Sequence, residues 1–216
     1  AQGMELLSQS EATMQSIRGD AVSMIFQEPN AALNPTLSIG HQVGESYLFH
    51  RTGTFSQEII RELEGKQGFW PAYLRWAYGL AAKNRLAWQL RLLKKIPLLS
   101  RWDRRLKARI REECVKLIAS LGIPNPNRVL DSYPHNLSGG MKQRIVIAIA
   151  LACDPVLLIA DEATSNLDVT IQAQILDLLR QLKEEVISSI LLITHDLGVV
   201  AETCDTVGVM YAGNLC

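Results

Sequence analysis

An α/β fold, with a parallel sheet flanked by helices and a separate helical region, is what this sequence predicts. Three observations lead there. Val156-Leu-Leu-Ile-Ala160 and Ile190-Leu-Leu-Ile-Thr194 are short continuous apolar runs, the pattern of parallel strands buried on both faces. Between them, Val169 to Val186 sets Ile171, Ile175, Leu178, Leu179 and Leu182 at a helical period. Residues 40–150 hold no convincing strand. Strand, helix, strand in that rhythm argues for parallel connections.

In chain order, residues 1–39 open with a helix-like patch and continue into Ala21-Val-Ser-Met-Ile-Phe26, an apolar run of strand length. Turn chemistry follows in Glu28-Pro-Asn30 and Asn34-Pro35. Residues 40–150 read as helical, and residues 151–216 return to strand and helix, with Val207-Gly-Val-Met-Tyr211 a third strand of that part. Phe69 to Arg109 stands apart. It carries eleven Lys/Arg (Arg75, Lys83, Arg85, Arg91, Lys94, Lys95, Arg101, Arg104, Arg105, Lys107, Arg109) against one acid, Asp103, and all four tryptophans, Trp70, Trp76, Trp88 and Trp102. Three readings suit it: a solvated helical lobe with tryptophans packed inward, a membrane-surface element, or a single-strand binder. The expectation is a lobe packed on the core with its basic face towards a membrane.

Composition narrows the class. At 216 residues the chain can bury a sizeable core, and 48% hydrophobic with 20% charged residues is globular rather than disordered. A net charge of zero gives no global field towards nucleic acid. Ala1 to Gln15 lacks the pattern of a signal peptide, and no run of about 18 uncharged apolar residues is present to span a membrane. A membrane role is therefore expected at the surface. Cys114, Cys153, Cys204 and Cys216 form no CxxC pair and read as reduced thiols of a cytosolic protein. A metal or iron–sulfur ligand among Cys204 and Cys216 would need further cysteines beyond the C-terminus.

The chemistry concentrates in a few runs. Asn136-Leu-Ser-Gly-Gly-Met-Lys-Gln-Arg144 leads into a helix; Ser138 suits its N-cap, and Gly139 and Gly140 allow close backbone approach. Free N–H groups at such a helix start favour an anion, above all phosphate. Leu157-Leu-Ile-Ala-Asp-Glu162 ends a strand on two acids, at the sheet edge where ligands bind. One carboxylate there can hold Mg²⁺ through water and the other orient or deprotonate a water. Gln27 and His195 each follow a strand in the same way, which places all four groups at one edge if the strands are parallel.

That ordered set resembles the ABC transporter ATPase family: Gln27 as the Q-loop, Leu137-Ser-Gly-Gly-Met141 as the signature, Leu157 to Glu162 as Walker B, Ser165-Asn-Leu-Asp168 as the D-loop, and His195 as the switch histidine. Ile17-Arg-Gly-Asp20, Leu33-Asn-Pro35, Tyr133-Pro-His135, Asp168-Val-Thr-Ile-Gln-Ala-Gln174 and Thr194-His-Asp-Leu-Gly-Val-Val200 are similar to its oligopeptide/dipeptide importer branch. The resemblance leaves out about residues 51–110 and implies a P-loop NTPase core of the ABC type with a helical subdomain. Residues 1–39 and 151–216 would then form the core, and residues 40–150 the helical subdomain with the signature.

By resemblance, Asp161 would hold Mg²⁺ through water, Glu162 would be the general base, His195 would contact the γ-phosphate, and Gln27 would sense Mg²⁺ and the attacking water. Ser138, Gly139, Gly140 and Gln143 would contact the ATP held mainly by a second subunit, with Asp168 at the dimer interface. The implied cofactors are ATP and Mg²⁺. The implied partners are a second ATPase subunit, identical or paralogous, transmembrane permease subunits and, indirectly, an extracytoplasmic solute-binding protein; no nucleic acid is expected. The place would be the cytoplasmic face of the membrane, peripherally. Two other readings are a non-hydrolysing regulatory subunit and a non-transport ABC protein that binds nucleic acid.

Ala163 stands where the family usually has proline, and Ser165-Asn-Leu-Asp168 replaces its commoner Thr-Ala-Leu-Asp; neither removes a charge. No GxxxxGK[ST] occurs among the 216 residues, since around Gly65-Lys66 position 60 is Ile and position 67 is Gln. The chain is expected to be a piece whose phosphate loop lies upstream of Ala1. Residues 1–216 alone should accordingly bind Mg·ATP only weakly in isothermal titration, and micromolar affinity would move the nucleotide site elsewhere.

Overall fold

The computed structural model describes residues 5–6, 8–83, 99–165, 167–185 and 187–216. Trp88, Arg85, Arg91, Lys94, Lys95, Asn166 and Val186, all named above, lie outside them. By contact the chain divides into two units, Ala1–Leu33 with Ser138–Cys216, and Asn34–Leu137. The helix that follows Ser138 groups with the sheet, whereas the sequence pattern had put a boundary at residue 150.

The first unit is built on three parallel strands in the order β1 (Val22–Ile25), β2 (Leu157–Asp161), β3 (Ser189–Ile193). Their register pairs Ile25 with Ala160 and Asp161 with Ile193. α1 (Glu11–Ile17) precedes β1, capped by Ser10, and α2 (Pro29–Ala32) follows it. Burial alternates instead of covering both faces. Ile25, Leu158 and Ala160 are fully buried, but Leu191 and Ile193 are 50% and 45% exposed. The reading of Ile190–Thr194 as a strand buried on both sides is not met here: among the described residues β3 pairs with β2 alone, and a continuous apolar run does not reveal which face is covered. The third strand expected at Val207–Tyr211 shortens to β4 (Met210–Tyr211), which pairs antiparallel with β5 (Asn214–Leu215) and is exposed. Ala212 and Gly213 turn between them with positive φ, which suits a tight hairpin.

The second unit is helical, as the absence of strand patterning predicts: α3 (Ile39–His50), α4 (Thr52–Glu62), α5 (Phe69–Lys83), α6 (Arg101–Ser120), α7 (Pro126–Leu130) and a 3₁₀ turn at Pro134–Asn136. Ser38 caps α3 through the His41 N–H. The buried Gln42 satisfies its whole amide, accepting from Asn34 N–H and donating to the Asn34 and Leu37 carbonyls, so the Asn34-Pro35 turn is fastened to α3. Gly40 lets α3 approach α7, because a Cβ there would meet the Leu130 carbonyl oxygen at 2.9 Å. α4 packs on α5, and α6 packs on α3, α4 and α5.

Trp102 and Tyr78 are buried at the centre of this unit, edge to face, and the Tyr78 hydroxyl donates to the Trp102 carbonyl at 2.8 Å. Burial pushes the Tyr78 phenol well above its usual range. Burial likewise pushes the Cys114 thiol up to about 12, an inert group. None of the four cysteines forms a disulfide. The basic stretch looks different in space. Arg105 pairs with Glu62 at 2.7 Å, Arg109 with Glu58 and Glu112, Lys107 with Asp103, and Arg75 donates to the Leu63 and Lys66 carbonyls. Acids from α4 and the later turns of α6 thus neutralise charge that looked unopposed within residues 69–109. Trp102 packs inward as the lobe reading expects, whereas Trp76 is 52% exposed.

Trp102→Ala should destabilise the helical unit by about 3–5 kcal/mol through the cavity it leaves. Tyr78→Phe should cost only about 1 kcal/mol, the net worth of one hydrogen bond. Urea unfolding followed by circular dichroism separates the two, and equal losses would contradict this account of the core.

Candidate functional site

α8 (Gly139–Leu151) starts at Ser138, whose Oγ accepts from the Met141 N–H. The helix is buried nearly all round, with Ile145, Val146, Ile147, Ala148 and Leu151 inside, and it packs on β1. Gly140 allows the close approach of Ile171, since a Cβ there would meet Ile171 Cγ2 at 3.0 Å. Ile171 belongs to α9 (Val169–Glu185), which buries Ile175, Leu176, Leu178, Leu179 and Leu182 as its periodicity predicts.

The strand register then builds the site. Two residues past the pair Ile25–Ala160 come Gln27 and Glu162, and one past Asp161–Ile193 come Glu162 and Thr194. Gln27, Glu162 and His195 therefore meet at the carboxyl edge of the sheet. Gln27 Nε2 donates to Glu162 Oε2 at 2.5 Å, and His195 Nδ1 lies 3.0 Å from Glu162 Oε1. Glu162 is 26% exposed at its side chain and His195 is 78% exposed. Both carboxylate oxygens of Glu162 are thus engaged.

Glu162 also has an unusual backbone, with φ at +43°, a left-handed conformation that costs a non-glycine residue about 1–3 kcal/mol. Neighbouring bonds hold it. Its N–H donates to the Ile193 carbonyl at 2.9 Å, and its own carbonyl accepts from Ser165 N–H and Oγ at 2.9 and 2.8 Å. A cleft of about 410 Å³ opens here, lined by Gln27, Glu162, Thr164, Ser165, His195 and Asp196 among others. Asp161 stands one residue earlier, as the last residue of β2. The Gln27 amide and the Asp161 and Glu162 carboxylates are hard oxygen donors of the kind Mg²⁺ takes when a substrate supplies the remaining ligands. Among the described residues, no group of three or more His, Cys, Asp or Glu side chains gathers to hold a metal ion.

The remaining expected residues lie apart from this cleft. Asp168 Oδ1 caps α9 through the Ile171 N–H at 3.0 Å. Ser138 and Gly139 are exposed, and neither they nor Gly140 lines the cleft. Gln143, expected at the nucleotide, is 1% exposed and donates to the Ala163 carbonyl at 2.5 Å, so its side chain is spent inside the fold. Two contributors escaped the sequence reading. Asp196 caps α10 (Leu197–Thr203) through the Gly198 and Val199 N–H groups, and Gln172 reaches Asp196 from α9. An acid directly before an apolar helix start was the available signal.

The chain matches the ABC transporter family over residues 2–165. It is 40% identical over 211 residues, 98% of its length, to the dipeptide transport ATP-binding protein DppD of Bacillus subtilis (strain 168), of which it covers 48%. It is also 40% identical over 214 residues, 99% of its length, to the oligopeptide transport ATP-binding protein OppD of the same organism, covering 45%. The chain spans about half the length of the curated relatives it matches. In fold it resembles MJ0796, a bacterial ABC transporter cassette solved as a dimer, with a TM-score of 0.57 and 21% identity over 93% of this chain and 63% of that one.

The Val199 and Gly198 N–H groups hold the Asp196 carboxyl below the usual Asp range. A depressed folded-state pKa makes the cap's contribution complete above the unfolded value of about 3.9 and lost as pH falls through the folded one. At neutral pH, Asp196→Ala should speed hydrogen exchange at the Gly198 and Val199 amides. Unchanged exchange there would show that the cap contributes nothing to α10.

Proposed function

The chain belongs to the ABC transporter family, and from that premise we propose that it is part of the ATP-hydrolysing subunit of an importer for peptides or related solutes. The observation that carries this is Glu162, set in a left-handed turn at the sheet edge and held between Gln27 and His195. Likeness to DppD and OppD supports peptides as the solute class. Among the described residues no helix is long and apolar enough to cross a membrane. The subunit would work peripherally, at the cytoplasmic face, against separate transmembrane permease subunits, with an extracytoplasmic solute-binding protein acting through them.

In this reading Mg·ATP is the substrate. Glu162 accepts the proton of the attacking water, each of its oxygens keeping a lone pair beyond the bond to Gln27 or His195. Gln27, whose Nε2 donates to Glu162, keeps its carbonyl oxygen for the Mg²⁺ of the substrate or for the water. His195 turns from Glu162 to the γ-phosphate, exchanging one charged acceptor for another. Asp161 holds the cation's hydration shell. Ser138 and Gly139, exposed and outside the lining of this cleft, face with the backbone of Gly140 the nucleotide of a second subunit, identical or paralogous. Asp168 lies at the junction between the two. Closure on ATP and opening after hydrolysis would then move the permeases.

Glu162→Gln in the full-length protein should lower turnover by about 10²–10⁴-fold and leave ATP binding intact. Steady-state hydrolysis and equilibrium nucleotide binding on the same preparation decide it; wild-type turnover in the variant sinks the assignment. An intact Glu162 and His195 favour a hydrolysing subunit over a regulatory one.

A further inference from the structure

Consecutive residues on the first turn of α8 reach in different directions. Lys142 Nζ donates to Asn30 Oδ1 at 2.8 Å, three residues beyond Gln27. Gln143 Nε2 donates at 2.5 Å to the carbonyl of Ala163, the residue after Glu162. Gln27 and Glu162 are themselves bonded. The start of α8 is therefore fastened to both arms of the Gln27–Glu162 contact, and all of these residues lie in the sheet unit.

The two ties are unequal. Lys142 to Asn30 runs over the surface, where such a bond is screened and easily replaced by water. Gln143 is 1% exposed and Ala163 is 2% exposed, so water cannot substitute for the donor. The Ala163 carbonyl also sits in the turn that sets the φ of Glu162. Ser165 closes this turn on one side through the Glu162 carbonyl, and Gln143 closes it on the other. Gln143 is not among the residues that line the cleft.

We propose that Gln143 is a positioning residue for Glu162, fixing the carboxylate through the Ala163 carbonyl, with Lys142 adding a weaker tie to the segment that carries Gln27. Displacement of the α8 start is thereby passed to both members of the pair. The helix that opens at Ser138, Gly139 and Gly140 and the carboxylate at the end of β2 move as one piece. This rests on the ATPase reading above for its activity readout alone.

The test uses the full-length protein carrying Gln143→Met, which keeps the volume and removes the donor. Three measurements are made: steady-state kinetics with Mg·ATP, hydrogen exchange at the Glu162 and Ser165 amides, and single-turnover rates in the Glu162→Gln background. The expected result is a fall in kcat of about 10–100-fold with KM changed less than about twofold. The two amides should exchange faster, and Gln143→Met should lose nothing further once Glu162 is already Gln. A raised KM with unchanged kcat would make Gln143 a nucleotide contact and overturn the proposal. So would unchanged exchange at the two amides. If exchange quickens while Glu162→Gln turns over normally, the ATPase reading fails and the positioning role stands. Should Gln143→Met not fold, Lys142→Ala and Asn30→Ala lie nearer the surface. Each should quicken the same exchange, and the double variant should add nothing; independent, additive effects would overturn the tie.

Discussion

Everything at the candidate site depends on the parallel register of β1, β2 and β3. A shift of one residue in either pairing would carry Gln27 or Thr194 to the opposite face, because side chains alternate along a strand. With Ile25 level with Ala160 and Asp161 level with Ile193, three segments far apart in sequence deliver an amide, a carboxylate and an imidazole to one edge. The register is in turn fixed by burial. Ile25, Leu158 and Ala160 must share the covered face, and α8 supplies an apolar surface to cover β1. Packing thus decides chemistry here, with no polar contact needed to select the arrangement.

Much of this was legible in the sequence, for a physical reason in each case. The helical period of Ile171, Ile175, Leu178, Leu179 and Leu182 is local information, and α9 buries the last four of them. Residues following apolar runs had to converge once the strands were parallel, and Gln27, Glu162 and His195 do. What the sequence hid was non-local. Arg105 and Arg109 look unpaired within residues 69–109, yet their acids, Glu62 and Glu58, stand 43 and 51 positions away on α4. Leu191 and Ile193 have the composition of a core strand, but a strand's neighbours decide its exposure, and among the described residues β3 pairs with β2 alone. Gln143 was assigned by its motif; its burial follows from the packing of α8 and could not be read from its polarity.

The balance of forces around Glu162 explains why a buried glutamine carries more weight than an exposed lysine. A left-handed Glu costs about 1–3 kcal/mol relative to an ordinary conformation. Each bond that holds the turn, from Ile193, Ser165 and Gln143, returns about 1 kcal/mol net. Any one of these bonds is comparable in size to the cost of the conformation they hold. Removing the Gln143 donor also strands a carbonyl in a site closed to water, which adds about 1–3 kcal/mol on the unfavourable side. Removing Lys142 strands no buried group, because Asn30 is exposed and water takes over much of the bond, so it loosens the turn by less. The conformation of the carboxylate is therefore more sensitive to the buried Gln143 bond than to the surface Lys142 bond.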